Sequence, residues 1–190
     1  MKYYFAIFKP YEVLCQFTPE KESDLTLKNL FDFPTDVYPI GRLDKDSEGL
    51  LFLTNDNAWK NWITNPKNKI SKTYFCQLEG AITASAIEML VAGPIITVNG
   101  KKYKTQNCKA TQIPEPPSIP ERSTPIRYRK TVPTSWISIS IEEGKNRQVR
   151  KMCAAIGFPV LRLIRYSIGN FSLDLLKSKQ IKEFKTKPIV

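Results

Sequence analysis

The chain has 190 residues, 42% hydrophobic and 25% charged, which suits a globular fold with a substantial core and excludes a low-complexity chain. Its 29 Lys and Arg against 18 Asp and Glu leave a net charge of +11, which favours a polyanionic partner, because each cation set on a phosphate releases a condensed counterion. There is no histidine, which excludes Ser-His-Asp and Cys-His catalysis and most zinc hydrolases, so a carboxylate or a lysine must carry any chemistry.

The apolar run Tyr3–Phe8 is too short for a signal-peptide core or a membrane span and reads as a strand, with a second over Val13–Phe17. Leu50–Thr54 is a short apolar strand. Asp56 then caps a helix whose Ala58, Trp59, Trp62 and Ile63 build one apolar face. Trp59, Trp62 and the later Trp136 are expected in the core rather than as platforms for bases. Lys72–Glu79 is a strand, Thr83–Ala92 a helix closed by Gly93-Pro94, and Tyr103–Thr111 is expected to continue the sheet. A basic, proline-rich loop spans about 113–133, with Pro114, Pro116, Pro117, Pro120, Pro125 and Pro133 beside Arg122, Arg127, Arg129 and Lys130. It serves equally well as an RNA-backbone contact or as a linker between lobes. Ser135–Ile141 alternates as a half-buried strand, Asn146–Ile156 repeats as a helix, and Val160–Ile164 is a last core strand. The class is therefore α+β.

Other patterns narrow the function further. Cys15, Cys76, Cys108 and Cys153 lie far apart in apolar surroundings, as reduced, buried thiols of a cytoplasmic protein do. No GxxxxGK or GxGxxG turn is present for a nucleotide cofactor. No basic amphipathic helix stands out to support a membrane-surface partner.

Two segments concentrate reactive residues. The first is Gly41–Asp56, "GRLDKDSEGLLFLTND", an arginine and several carboxylates in a turn before an apolar strand. Asp44, Asp46, Glu48 and Gly49 match the opening of a calcium loop, but Asn55 stands where its bidentate glutamate belongs. Asp44 and Asp46 as magnesium ligands of a nuclease form a second reading, and a solvated turn a third, with Asp46 and Glu48 as local caps. The second segment is Glu142–Met152, "EEGKNRQVRKM", a turn at Gly144 leading into a helix with Lys145, Arg147, Arg150 and Lys151. Arg147 and Arg150, at i and i+3, are expected to share a face, and the helix N-terminus to favour phosphate.

Together with "KTYFCQLEG" and "LRLIRYSIG", these segments resemble in order and spacing the motifs of the bacterial RsuA-type pseudouridine synthases, from about Phe5 to Gly169. The resemblance implies a pseudouridine synthase catalytic fold: a mixed, mainly antiparallel sheet in two lobes with flanking helices and a central active-site cleft. It implies one catalytic domain over 1–190 that isomerises a uridine of ribosomal RNA. "FAIFKPYEVLCQFTPE" and Val132–Trp136 look most like a subgroup that modifies 23S rRNA and lacks the small S4 RNA-binding module. Such a module is not expected here, since the core starts almost at Met1.

By the same resemblance, Asp44 matches the catalytic carboxylate and Arg150 the basic residue paired with it. Tyr74 matches the tyrosine packing against the base, and Val149 an apolar residue of its pocket. Arg42 matches a basic residue holding the displaced nucleotide; Lys145, Arg147 and Lys151 are expected on RNA phosphates. Alone, Tyr74 would read as a core aromatic. Losing Arg150 should impair catalysis more than RNA affinity. Isomerisation transfers no external group and changes no oxidation state, so neither cofactor nor metal is expected. Ribosomal RNA is the expected partner, with no membrane and no obligate protein partner, and the chain is expected to act as a monomer. The rival reading is a non-catalytic rRNA-binding or assembly factor on the same scaffold, which would need none of Asp44, Tyr74 and Arg150.

Overall fold

A computed structural model of the chain describes all residues except Pro117, Ser118, Ser123, Arg127, Tyr128, Lys130 and 177–179. Among the described residues the chain opens with β1 (Tyr4–Lys9), β2 (Val13–Leu14), β3 (Leu25–Thr26), β4 (Tyr38–Pro39), β5 (Glu48–Thr54) and helix α1 (Asn57–Thr64). Then follow β6 (Lys72–Glu79), α2 (Ala84–Val91), β7 (Ile95–Val98), β8 (Lys101–Lys104), β9 (Lys109–Ile113), β10 (Thr134–Ile141) and α3 (Gln148–Ala155). β11 (Val160–Ile168), β12 (Phe171–Ser172) and β13 (Ile181–Phe184) complete an α+β fold. It forms two compact units: Met1–Ile70 with Arg165–Val190, and Ser71–Ile164.

In the first unit β1 pairs antiparallel with β5 on one edge, Ala6 opposite Phe52, and with β13 on the other, Ala6 opposite Lys182. Every residue of β1 and β5 is buried, including Lys9 at the end of one and Glu48 at the start of the other, and the segments between read as apolar runs. Phe5, Ile7, Leu51 and Leu53 meet Val13, Leu27, Phe33 and Val37 in one cluster. Trp59 of α1 packs edge-on to Tyr4 at 5.4 Å and against Phe52 at 5.2 Å. Asp56 caps α1 as expected, accepting from the amides of Ala58 and Trp59. Hydrogen bonds, from Lys2 foremost and also from Tyr4, hold its carboxyl down at about 2.

Three expectations fail here. Trp62 is 45% exposed, because the eight-residue α1 buries only Trp59 and Ile63, one turn apart. The strand expected over Val13–Phe17 shrinks to β2, whose parallel partner β3 is itself only two residues long. Glu48, expected on a solvated loop, is the buried first residue of β5.

In the second unit β10 pairs antiparallel with β6, Ile139 opposite Tyr74, and with β9 on its other edge. Cys76, Leu78, Leu90, Ile137, Ile139, Met152 and Cys153 build its core. Trp136 is buried as expected. All four cysteines are free and buried; burial pushes Cys76 well up and Cys108 to about 11, which leaves both thiols inert. The strand expected over Tyr103–Thr111 is instead two strands in different sheets, β8 pairing with β7 and β9 with β10. Between them the chain closes on the end of α2, where Thr105 N donates to Pro94 O and Cys108 N to Val91 O.

Of the proline-rich loop, Arg129 pairs with Glu79 at 2.6 Å, and Pro120 O accepts from Arg162 at 2.6 Å. Pro117, Arg127 and Lys130 lie outside the described residues. Among the described residues no helix is long and apolar enough to cross a membrane.

Candidate active site

Asp44 lies, half-buried, in the turn between β4 and β5, and its backbone carbonyl accepts from Ser47 N at 3.0 Å. The turn is held by its own unit at several points. Ile40 N donates to Phe52 O at 2.7 Å, Glu12 N donates to Lys45 O at 2.9 Å, and Leu43 is buried. Lys45 reaches Asp24 at 2.6 Å, a partner that lowers the Asp24 carboxyl below its ordinary value. Arg42, beside Asp44, is exposed. At the start of β5, Gly49 has φ +107, and a Cβ there would stand 2.4 Å from Arg165 O and 2.6 Å from Arg165 N. Arg165 Nε donates to Leu50 O at 2.7 Å, so β11 clamps the strand that carries the turn. Among the described residues no group of three His, Cys, Asp or Glu is placed to hold a metal ion.

Lys9 was not singled out from sequence, though a lysine closing the apolar run "FAIFK" was the available signal. It is fully buried, and its ammonium donates to Pro10 O at 2.8 Å and Val13 O at 2.7 Å. Burial is the main cause that pushes its pKa down from 10.5 to about 8, against the pull of Cys15, Glu48 and Asp46. Keeping Lys9 charged therefore costs the folded state on the order of 3 kcal/mol below pH 8. That cost is relieved as pH rises from 8 towards 10.5, because the unfolded chain then binds more protons. Unfolding in urea at a series of pH values should show the stability of the wild type gaining on that of Lys9→Met across this window. A difference that stays flat would refute the assignment.

The second segment brings several expected residues together within its own unit. Tyr74 on β6 is half-buried and packs against the cluster that contains Val149, Met152 and Cys153. Val149 is 4% exposed, a core residue of that cluster. Arg150 is half-buried on α3, donates to Val160 O at 3.1 Å and lies near enough for its charge to act on Cys76, two residues along β6 from Tyr74. Lys151 is half-buried, whereas Lys145 and Arg147 are exposed.

Here the structure corrects the expected helix: α3 begins at Gln148, and Arg147 is its N-cap in the left-handed region at φ +51. Arg147 therefore does not share a helical face with Arg150. Buried Gln148 accounts for the change, since its Oε1 accepts from Lys145 N at 2.8 Å and its Nε2 donates to Glu143. These bonds fold the segment before the helix into a tight turn.

A family model described as RNA pseudouridylate synthase matches residues 3–155. Ribosomal large subunit pseudouridine synthase E of Vibrio vulnificus is 45% identical over 175 residues, covering 92% of this chain and 72% of its own length. The protein of the same name from Xanthomonas axonopodis pv. citri is 44% identical over 168 residues, covering 88% and 86%. A pseudouridylate synthase crystal structure superposes with TM-score 0.76 at 27% identity, covering 97% of this chain and 70% of that one.

Proposed function

Since the chain belongs to the RNA pseudouridylate synthase family, we propose that it converts one specific uridine to pseudouridine in ribosomal RNA, in the 23S rRNA of the large subunit. The observation that carries this reading is the Asp44 turn, a carboxylate presented ahead of a wholly buried strand and clamped there by backbone contacts. The reaction breaks the N1–C1′ bond, turns the uracil and joins C5 to C1′; C5 releases its hydrogen as a proton and the freed N1 takes one up, so the product is an isomer of the substrate. Atoms and electrons balance without a co-reactant, so neither cofactor nor metal is needed. Asp44 serves either as a nucleophile on C1′ or as a base on a ribose proton.

Tyr74 offers a flat apolar face and a hydroxyl to the base, beside the cluster that Val149 belongs to. Arg150, near enough to the strand of Tyr74 for its charge to act on Cys76, contributes a positive charge on that side of the base. A uridine in a stem must leave its stack at a cost of a few kcal/mol, which contacts with the base and its phosphates offset. Arg42, Lys145, Arg147 and Lys151 supply phosphate contacts. The similarity of the Vibrio and Xanthomonas synthases over most of the chain supports the 23S target. The chain acts in the cytoplasm as a monomer, with no protein partner required.

Incubation with rRNA tritiated at uridine C5, in EDTA, tests the reading, since joining C5 to C1′ expels that label. Release of about one tritium equivalent per modified site from 23S RNA, and none from 16S RNA, is expected. Release from 16S alone would overturn the target, and none from either RNA, free or in subunits, would overturn the activity.

A further inference from the structure

The hairpin β7–β8 of the second unit plays no part in the reaction described above. Asn99 at φ +49 and Gly100 at φ +75 form its turn, the pair of positive angles that matches the twist of a two-residue hairpin. Its register sets Ile96 opposite Tyr103 and Thr97 opposite Lys102. Ile96 is buried in the core and Tyr103 packs against it, so the hairpin has an inner face. Ile95, Thr97, Lys102 and Lys104 alternate onto the other face and are exposed, with Lys101 exposed at the turn. From 89 to 114 the chain carries Lys101, Lys102, Lys104 and Lys109 and no carboxylate.

The hairpin is also fastened to the motif that precedes α3. Glu143 accepts from Tyr103 OH at 2.6 Å, from Gln106 N at 2.9 Å and from Gln148 Nε2, so the carboxylate that meets the hairpin is taken up by donors. Lys145 Nζ sits over the Tyr103 ring, 5.0 Å from its centroid. Lys145 thus lies against Tyr103, on the side of the hairpin's inner face, while Lys102 and Lys104 are left on the outer one.

We infer that the outer face of β7–β8, carrying Lys102 and Lys104 with Lys101 exposed beside the turn, is a docking surface for the phosphate backbone of the RNA substrate away from the reacting nucleotide. This rests on the proposed function for the identity of the RNA. Its physical ground is charge complementarity: cations on a fixed β-surface, free of acidic neighbours in sequence, attract a polyanion by releasing its counterions. Contacts of this kind position the RNA without reading its sequence.

The test is filter binding of the full chain to a 23S rRNA transcript between about 50 and 300 mM salt. The wild type is compared with the triple variants Lys101→Gln/Lys102→Gln/Lys104→Gln and Lys101→Arg/Lys102→Arg/Lys104→Arg. Three lost phosphate contacts should weaken the glutamine variant about tenfold to a hundredfold near 150 mM salt. The slope of log affinity against log salt should fall by about 2 to 3. The arginine variant should bind as the wild type does. Equal affinity and slope in the glutamine variant would overturn the inference, as would an arginine variant as weak as the glutamine one. Binding needs no turnover, so the result stands even where the wild type releases no tritium, and that failure would count against the proposed reaction alone.

Discussion

Asp44→Asn should lower tritium release from 23S rRNA by at least about 10³-fold while leaving RNA affinity within a few-fold of the wild type. Asparagine keeps the shape of the side chain but can neither attack a sugar carbon nor take up a proton. The turn should survive the change, because its internal bond uses the Asp44 backbone carbonyl, and the clamps at Ile40, Leu43 and Gly49 lie outside the substituted side chain. Single-turnover release, measured beside filter binding and a thermal melt, separates the three readouts. Residual release within tenfold of the wild type would remove Asp44 from the chemistry. It would also revive a scaffold reading, in which RNA binding alone sustains the protein's role.

The second large effect is on folding. Gly49→Val places a branched side chain at φ +107, with its Cβ inside contact distance of the Arg165 backbone. The left-handed strain and the overlap with backbone atoms, which cannot swing aside as a side chain can, should together destabilise the protein by about 3 kcal/mol or more. Gly41→Ala is the contrast, since its Cβ would meet nothing within 4 Å and only the positive φ of +69 opposes it. That variant should lose about 1 kcal/mol. Urea midpoints of both variants would check the ranking, and a Gly49→Val protein as stable as Gly41→Ala would refute the clamp.

Local chemistry made much of this structure legible in the sequence. The Asp56 cap, the eight residues of β6, and the turn ahead of a buried strand all follow from residues within a few positions of one another. What escaped depends on partners distant in the chain. β13 is four residues, "IKEF", and becomes a strand only because β1 offers it an edge. Glu48 and Lys9 look like surface charges until β1 and β5 bury them together.

Other features carried signals that were present but outweighed. Asn99-Gly100 is a hairpin signal, yet the lysines after it hid the strand pair. Arg147 fits the helical period, but the side chain of Gln148 captures the preceding turn and holds Arg147 out of the helix. The Asp44 motif was readable as a unit because its residues are contiguous, whereas the part Arg165 plays beneath it is visible only in three dimensions.

The pairing of β1 with β13 also constrains the order in which the chain can be built. Unit Ser71–Ile164 is contiguous, so every contact it needs is available once residue 164 has emerged during synthesis. The other unit is split, and one edge of β1 stays bare until residues 181–184 have been made. Contacts so far apart in sequence close slowly, since the loop entropy is lost before the pairing repays it. The unit that presents Asp44 is thus finished only after the contiguous one, and β1 waits, one side open, until residues 181–184 have been made.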